Sequence, residues 1–79
     1  MSPSFEFHHE NNAVKDFIDK LLSKPKTIIN LQKLLMSGIA FNDTGLVTYA
    51  IEINPAIVNM VVPPNVIQQI DNILSLFTE

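Results

Sequence analysis

Several kinds of residue are missing from this chain, and each absence excludes a class of chemistry. Among its 79 residues there is no cysteine and no arginine, and only two are glycine. Without cysteine the chain forms no disulfide, no thiolate nucleophile and no cysteine-based zinc or iron–sulfur site. Gly38 and Gly45 alone are too few for a glycine-rich loop that binds phosphate.

Basic residues are scarce and confined to one part of the chain. From Leu34 to Glu79 there is none, and the five that exist are Lys15, Lys20, Lys24, Lys26 and Lys33. Phosphate binding draws on lysine and arginine, and arginine is the side chain suited to bidentate recognition of guanine. We therefore do not expect nucleic acid among the partners of this protein.

Residues suited to catalysis are also few. The two histidines, His8 and His9, are neighbours, and neighbouring side chains on an extended chain point to opposite faces, which disfavours joint metal binding. Asp16 and Asp19 form a candidate carboxylate pair, but the lysines beside them are typical of an ordinary solvated helix face. The sequence predicts a protein that is not an enzyme and has no cofactor and no metal ion.

No part of the sequence is typical of a membrane span or a secretory signal. The longest apolar stretch, Gly45 to Val62, is interrupted by Glu52, Asn54, Pro55 and Asn59. The N-terminus lacks the basic start and apolar run of a secretory signal. We expect a soluble, cytoplasmic protein without a membrane partner.

Apolar residues, in contrast, are abundant for so short a chain. They make up 47% of the sequence, while charged residues make up 16%, below the roughly 25% of an average soluble domain. A chain of this length buries only about 60% of the surface that its unfolded form exposes. The excess of apolar side chains predicts association with another protein, in the first place a second copy in a homo-oligomer.

The spacing of apolar residues predicts three helices, and with them an all-α fold, a small compact bundle of four to five helices. The clearest stripe is Val14, Phe17, Ile18, Leu21 and Leu22, which follows a cap at Asn11 or Asn12. We expect Pro25 in the first turn of the second helix and Gly38 at its end. The third amphipathic stretch should pack on the first two helices. The predicted helices are residues 12–23, 25–37 and 64–78.

The first ten residues differ from the rest, so we divide the chain into an N-terminal arm, 1–10, and a single helical domain, 11–79. In "SFEFH", Phe5 and Phe7 alternate with polar residues, the period of a half-buried strand. A disordered leader remains the alternative. Two phenylalanines so close together favour docking on the domain.

The region at about 46–62 supports two interpretations. With a period of two, Val47, Tyr49, Ile51 and Ile53 alternate with polar or small residues, which predicts a β-hairpin and an α+β fold. As helix, the region begins at a cap among residues 42–44 and runs to Ile53. The pair Asn54-Pro55 then caps and opens a short helix from Ala56 to Val62. We favour the helices.

The segment "VTYAIEINPAIVNMV" resembles the two-helix reading unit of helix-turn-helix proteins of the phage-repressor type. Ala50 stands where the helices would cross, and Ile53 and Val58 would be the packing pair. The resemblance implies a small DNA-binding regulator, which is the alternative function. However, Glu52 replaces the usual turn glycine. The would-be reading face is Ala56, Ile57, Asn59 and Met60, which suits a protein surface better than DNA.

The segment "FNDTGLVTYAIEI" resembles acyl and peptidyl carrier proteins. That resemblance implies a serine that carries a phosphopantetheine arm, followed by a long helix. The matching position here is Thr48, and Pro55 would break the helix. No attachment site is carried over.

The preferred function is a non-catalytic protein–protein interaction module, either an adaptor, an inhibitor of the immunity type or an assembly factor. Its surface would be apolar, since methionine adapts its shape to a partner and tyrosine supplies contact area with a polar tip. The residues predicted to bind the partner are Phe5, Phe7, Met36, Tyr49, Ile57, Met60, Val61 and Val62.

Overall fold

The computed structural model describes residues 5–77, apart from the side chain of Phe77. Predictions made for residues 1–4 of the arm, for the Phe77 side chain and for residues 78 and 79 lie outside this range. The described chain forms four α-helices and one 3₁₀ helix. These are α1 (Asn12–Ser23), α2 (Ile28–Ala40), α3 (Thr44–Ile53), the 3₁₀ helix (Pro55–Asn59) and α4 (Pro64–Phe77).

The all-α prediction is confirmed, and the hairpin alternative at 46–62 is wrong, because residues 5–77 contain no strand. The reason lies at the start of α3, where the Asp43 side chain accepts a hydrogen bond from the Leu46 backbone at 3.1 Å. This cap satisfies a backbone donor that a helix start otherwise leaves unpaired. The period of two in Val47 to Ile53 therefore does not decide the structure.

Helix α1 follows its predicted bounds. The Asn11 side chain caps it by accepting hydrogen bonds from the backbones of Ala13 and Val14 at 2.9 and 3.3 Å. Its buried residues are Val14, Ile18 and Leu21, at the spacing of three and four that lines one face of a helix. The helix ends at Ser23 because Lys24, which precedes Pro25, is held in an extended conformation.

Helix α2 departs from the prediction at both ends. Thr27 is its N-cap, with the hydroxyl accepting from the Asn30 backbone at 3.2 Å, so Pro25 lies before the helix and not in its first turn. Gly38 does not end the helix, which continues to Ala40. The left-handed residue that reverses the chain is Asn42, with φ of 56°. Asparagine tolerates this conformation better than most residues.

Gly38 is needed for a different reason, the close approach of α2 and α3. A Cβ atom at this position would lie 2.7 Å from Val47 Cγ2 and 2.9 Å from the Val47 backbone nitrogen. The missing side chain thus sets how closely the two helices pack.

Helix α2 is the centre of the fold, since α1, α3, the 3₁₀ helix and α4 all pack against it. Helix α4 makes its main contact with α2 and buries Val66 and Ile70, whereas the prediction had it packing on both α1 and α2. The principal core belongs to the arm, α1, α2, α3 and the 3₁₀ helix. It consists of Phe7, Val14, Ile18, Leu21, Leu31, Leu34, Leu35, Leu46, Tyr49, Ala50 and Ile57.

Replacing Gly38 by alanine tests this close approach. Helix propensity alone favours alanine by up to about 1 kcal/mol, but crowding of a packed interior costs about 1–3 kcal/mol. We expect Gly38→Ala to lower the free energy of unfolding in urea by about 1–2 kcal/mol, because a backbone atom of Val47 has to move.

Gly45→Ala is the matched control. Its Cβ would lie 3.0 Å from Phe5 Cε1, an atom near the end of a half-buried side chain and not a backbone atom, so the loss should be smaller. A Gly38→Ala protein more stable than the wild type would contradict the close packing of α2 on α3.

Candidate protein-interaction surface

The described residues of the N-terminal arm, 5–10, pack against the helical domain and belong to no helix or strand. Phe7 is only 1% exposed and belongs to the core, and Phe5 is half-buried with its ring 5.5 Å from the Tyr49 ring. Gly45 leaves space for the Phe5 ring. Phe7 was predicted to bind a partner, but in this structure it is a core side chain.

The two histidines of the arm have different surroundings. The His9 ring stacks on Phe7 with centroids 6.0 Å apart and meets Phe41 edge-on at 5.8 Å. Its Nδ1 accepts a hydrogen bond of 3.0 Å from the Asn11 backbone, which ties the arm to the start of α1. His8 is exposed, 3.8 Å from Glu6. Within residues 5–77 no three potential metal ligands come together.

The carboxylates of α1 lie on its solvated face, as the sequence indicates. Lys15 Nζ donates to Asp19 Oδ2 at 2.7 Å, one helical turn further on. This hydrogen bond raises the pKa of Lys15 above its ordinary value. Such pairs are common on exposed helices and contribute little to stability.

The remaining residues predicted to bind a partner divide into two groups. Tyr49 and Ile57 are buried, because Leu46, Tyr49 and Ala50 share the inner face of α3 and Ile57 is the inward residue of the 3₁₀ helix. They contribute to the core and not to a surface. Met36 and Val62 are half-buried, whereas Met60 and Val61 are exposed.

Residues 58–62 form the most exposed apolar segment. The 3₁₀ helix ends at Asn59, and the chain then runs extended through Met60 towards Pro63 and Pro64. Exposure reaches 90% for Val61, the highest value among the exposed large apolar side chains of the described residues.

A hydrogen bond from the core holds this segment in place. Gln32, on α2, is 1% exposed, and its Nε2 donates to the Val61 carbonyl oxygen at 3.1 Å. The backbone of Val61 is thus tied to α2, while its side chain is exposed to solvent. The Gln32 Oε1 atom has no hydrogen-bond partner among the described residues.

Two further exposed apolar residues lie on the same helix as Gln32. Ile28 and Ile29, 43% and 41% exposed, precede Gln32 by four and three residues and therefore lie one turn away on the same side of α2. We define the Val61 surface as Val58, Met60, Val61, Ile28 and Ile29.

The sequence around Val61 carries no charge. Between Glu52 and Asp71 there are eighteen residues, 53–70, and none is acidic or basic. Eleven of the eighteen are exposed. The polar side chains of this stretch are amides, and the residue types that are most often exposed in proteins, Lys, Glu, Arg and Asp, are absent from it.

The exposed apolar residues are not the result of loose folding. The accessible surface is 5058 Å², close to the roughly 4800 Å² expected for a monomer of 8.9 kDa. The chain therefore collapses as fully as an ordinary domain and still leaves eight large apolar side chains exposed among the described residues. These are Ile28, Ile29, Ile39, Val58, Met60, Val61, Ile67 and Leu76.

The predicted second helix of a helix-turn-helix unit, Ala56 to Val62, is not formed. The Asn54 side chain caps the turn by accepting from the Ala56 backbone at 3.1 Å, but the 3₁₀ helix has only five residues. Pro63 and Pro64 push the residues before them out of helical conformation, which leaves too little chain for a full helix. Val58, expected to pack on Ile53, is 54% exposed.

The resemblance to carrier proteins has no structural counterpart either. Thr48 lies in the middle of α3, which begins at Thr44 and ends at Ile53, so no long helix follows it.

Neither a ligand cavity nor a membrane span is found in the part of the chain that the structure describes. Residues 5–77 enclose no pocket, and none of their helices combines the length and apolar character needed to cross a bilayer. Comparison with protein-family models, with curated proteins and with solved structures gave no match.

The difference between a buried and an exposed side chain predicts a large change in the free energy of unfolding for one substitution and a small change for another. Phe7→Ala removes a buried ring and should lower the free energy of unfolding by about 3 kcal/mol. Val61→Ser changes an exposed side chain and should alter it by no more than about 0.5 kcal/mol. Both are measured in urea at low protein concentration, so that association does not contribute. Equal losses for the two variants would show that Val61 is not a surface residue.

Proposed function

We propose that this protein is a non-catalytic protein–protein interaction module, an adaptor, inhibitor or assembly factor, that binds its partner through the Val61 surface. The single observation that carries the proposal is a valine 90% exposed within eighteen residues that bear no charge. Several exposed apolar side chains within a short uncharged segment are a feature of binding sites. The cytoplasmic location stays a prediction from the sequence.

The chemistry of the surface favours binding. Burial of apolar area contributes about 25 cal/mol per Å², so that complete burial of a valine is worth about 1.5–3 kcal/mol. Met60 adapts its shape to a partner because its chain is unbranched. None of the five residues has a titratable side chain, and the surface therefore offers no group for proton transfer.

The DNA-binding alternative has less support. A recognition helix reads base edges with side chains from its first turns, and the 3₁₀ helix at Pro55–Asn59 offers one short turn with Ile57 buried. The charge-free stretch also has no lysine for phosphate contacts.

Capture of partners from the native host tests the proposal. Tagged wild-type chain and a tagged Val61→Asp variant are each used as bait in a lysate that also contains untagged chain, and retained proteins are quantified. We expect Val61→Asp to lower partner retention at least about tenfold, because an aspartate buried without a partner costs more than the 1.4 kcal/mol that a tenfold change requires.

Leu76→Asp is the matched control. Leu76 is 74% exposed and lies about 18 Å along α4 from the start of that helix, so its substitution should leave retention unchanged. Equal retention by wild type and Val61→Asp would refute the proposal.

A further inference from the structure

We infer that the Val61 surface binds the same surface on a second copy of this chain and forms a two-fold symmetric dimer. The inference rests on the proposed function, because it names the partner of that same surface. Three observations favour a second copy over a different protein.

The first observation is the distribution of charge. Residues 53–70 carry no charge, and the five lysines all lie between 15 and 33. The five residues of the Val61 surface carry no charge, so two copies can meet across them without like-charge repulsion. Transient complexes between different proteins use complementary charges for steering, while homodimer interfaces are more apolar and depleted of charge at their centre.

The second observation is area. A stable interface buries about 800 Å² on each partner, which is roughly one-sixth of the 5058 Å² surface of this chain. The charge-free stretch provides eighteen of 79 residues, eleven of them exposed. Together with Ile28 and Ile29, it offers thirteen exposed residues for the centre of an interface, and the remainder of the roughly 20–30 residues of a standard interface belongs to a polar rim.

The third observation is the fixed geometry of the segment around Val61. Gln32 Nε2 donates a hydrogen bond to the Val61 carbonyl oxygen, so the segment offers a partner the Val61 side chain and not an unpaired carbonyl. Pro63 and Pro64 have no backbone donor, which excludes a continuous strand pairing with another chain. Association therefore proceeds through side chains. In a two-fold interface the residue at the centre meets its own counterpart, and Val61 is that residue.

Cross-linking through a single introduced cysteine tests this geometry directly, because the chain has no cysteine of its own. A disulfide forms where two Cβ atoms approach to about 3.5–4.5 Å. Under mild oxidation we expect Val61→Cys to form a covalent dimer at least about tenfold faster than Leu76→Cys, since a dimer brings the two thiols to a high effective concentration. Equal rates for the two variants would overturn the inference.

Sedimentation equilibrium across a wide concentration range supplies an independent readout. The wild type and Leu76→Asp should be dimers that dissociate on dilution, while Val61→Asp should be a monomer that keeps the helical circular dichroism spectrum of the wild type. A dimer that persists in Val61→Asp but dissociates in Leu76→Asp would overturn the inference, because the interface would lie elsewhere.

A wild type that stays monomeric at every concentration also overturns the inference, and the capture experiment then separates it from the proposed function. If the wild-type bait retains a different host protein and the Val61→Asp bait does not, the proposed function holds and the partner is that host protein. Equal capture by the wild type and Val61→Asp would remove both.

Discussion

Helix α2 has to accommodate neighbours on several sides at once, and the rest of the fold depends on this packing. Leu31, Leu34 and Leu35 are buried on it, and α1, α3, the 3₁₀ helix and α4 all contact it. Gly38 permits α3 to approach within van der Waals contact. Helix α4 makes its main contact with α2, so α2 also holds α4 to the rest of the domain.

The exposed apolar segment is a consequence of this arrangement. Other elements pack on several sides of α2 and leave Ile28 and Ile29 exposed, and the Gln32 side-chain amide ties residue 61 to the helix by its backbone. Pro63 and Pro64 keep the segment from folding into a helix that would bury its apolar residues. The chain therefore combines a buried core with exposed apolar residues that carry no charge. We propose that association with a partner covers these residues.

Local signals in the sequence predicted which segments are helical better than where the helices begin and end. The stripe of α1, a cap among residues 42–44 and the cap at Asn54-Pro55 all depend on residues a few positions apart, although the helix predicted to follow Pro55 is only a short 3₁₀ helix. Features set by distant contacts were not predictable in the same way. Gly38 resembles a helix end unless the position of Val47 is known. Tyr49 and Ile57 have the same apolar character whether they face the core or a partner, so their residue type does not show which they do. The backbone of Val61 is held by a hydrogen bond from Gln32, a residue 29 positions away.

Native-state hydrogen exchange of the α2 amides tests most directly whether the fold depends on this helix. The account predicts that the backbone amides from Leu31 to Gly38 exchange only through global unfolding, with an opening free energy equal to that obtained from urea. Exchange of these amides through local opening, faster than in α1 or α3, would contradict the central role of α2.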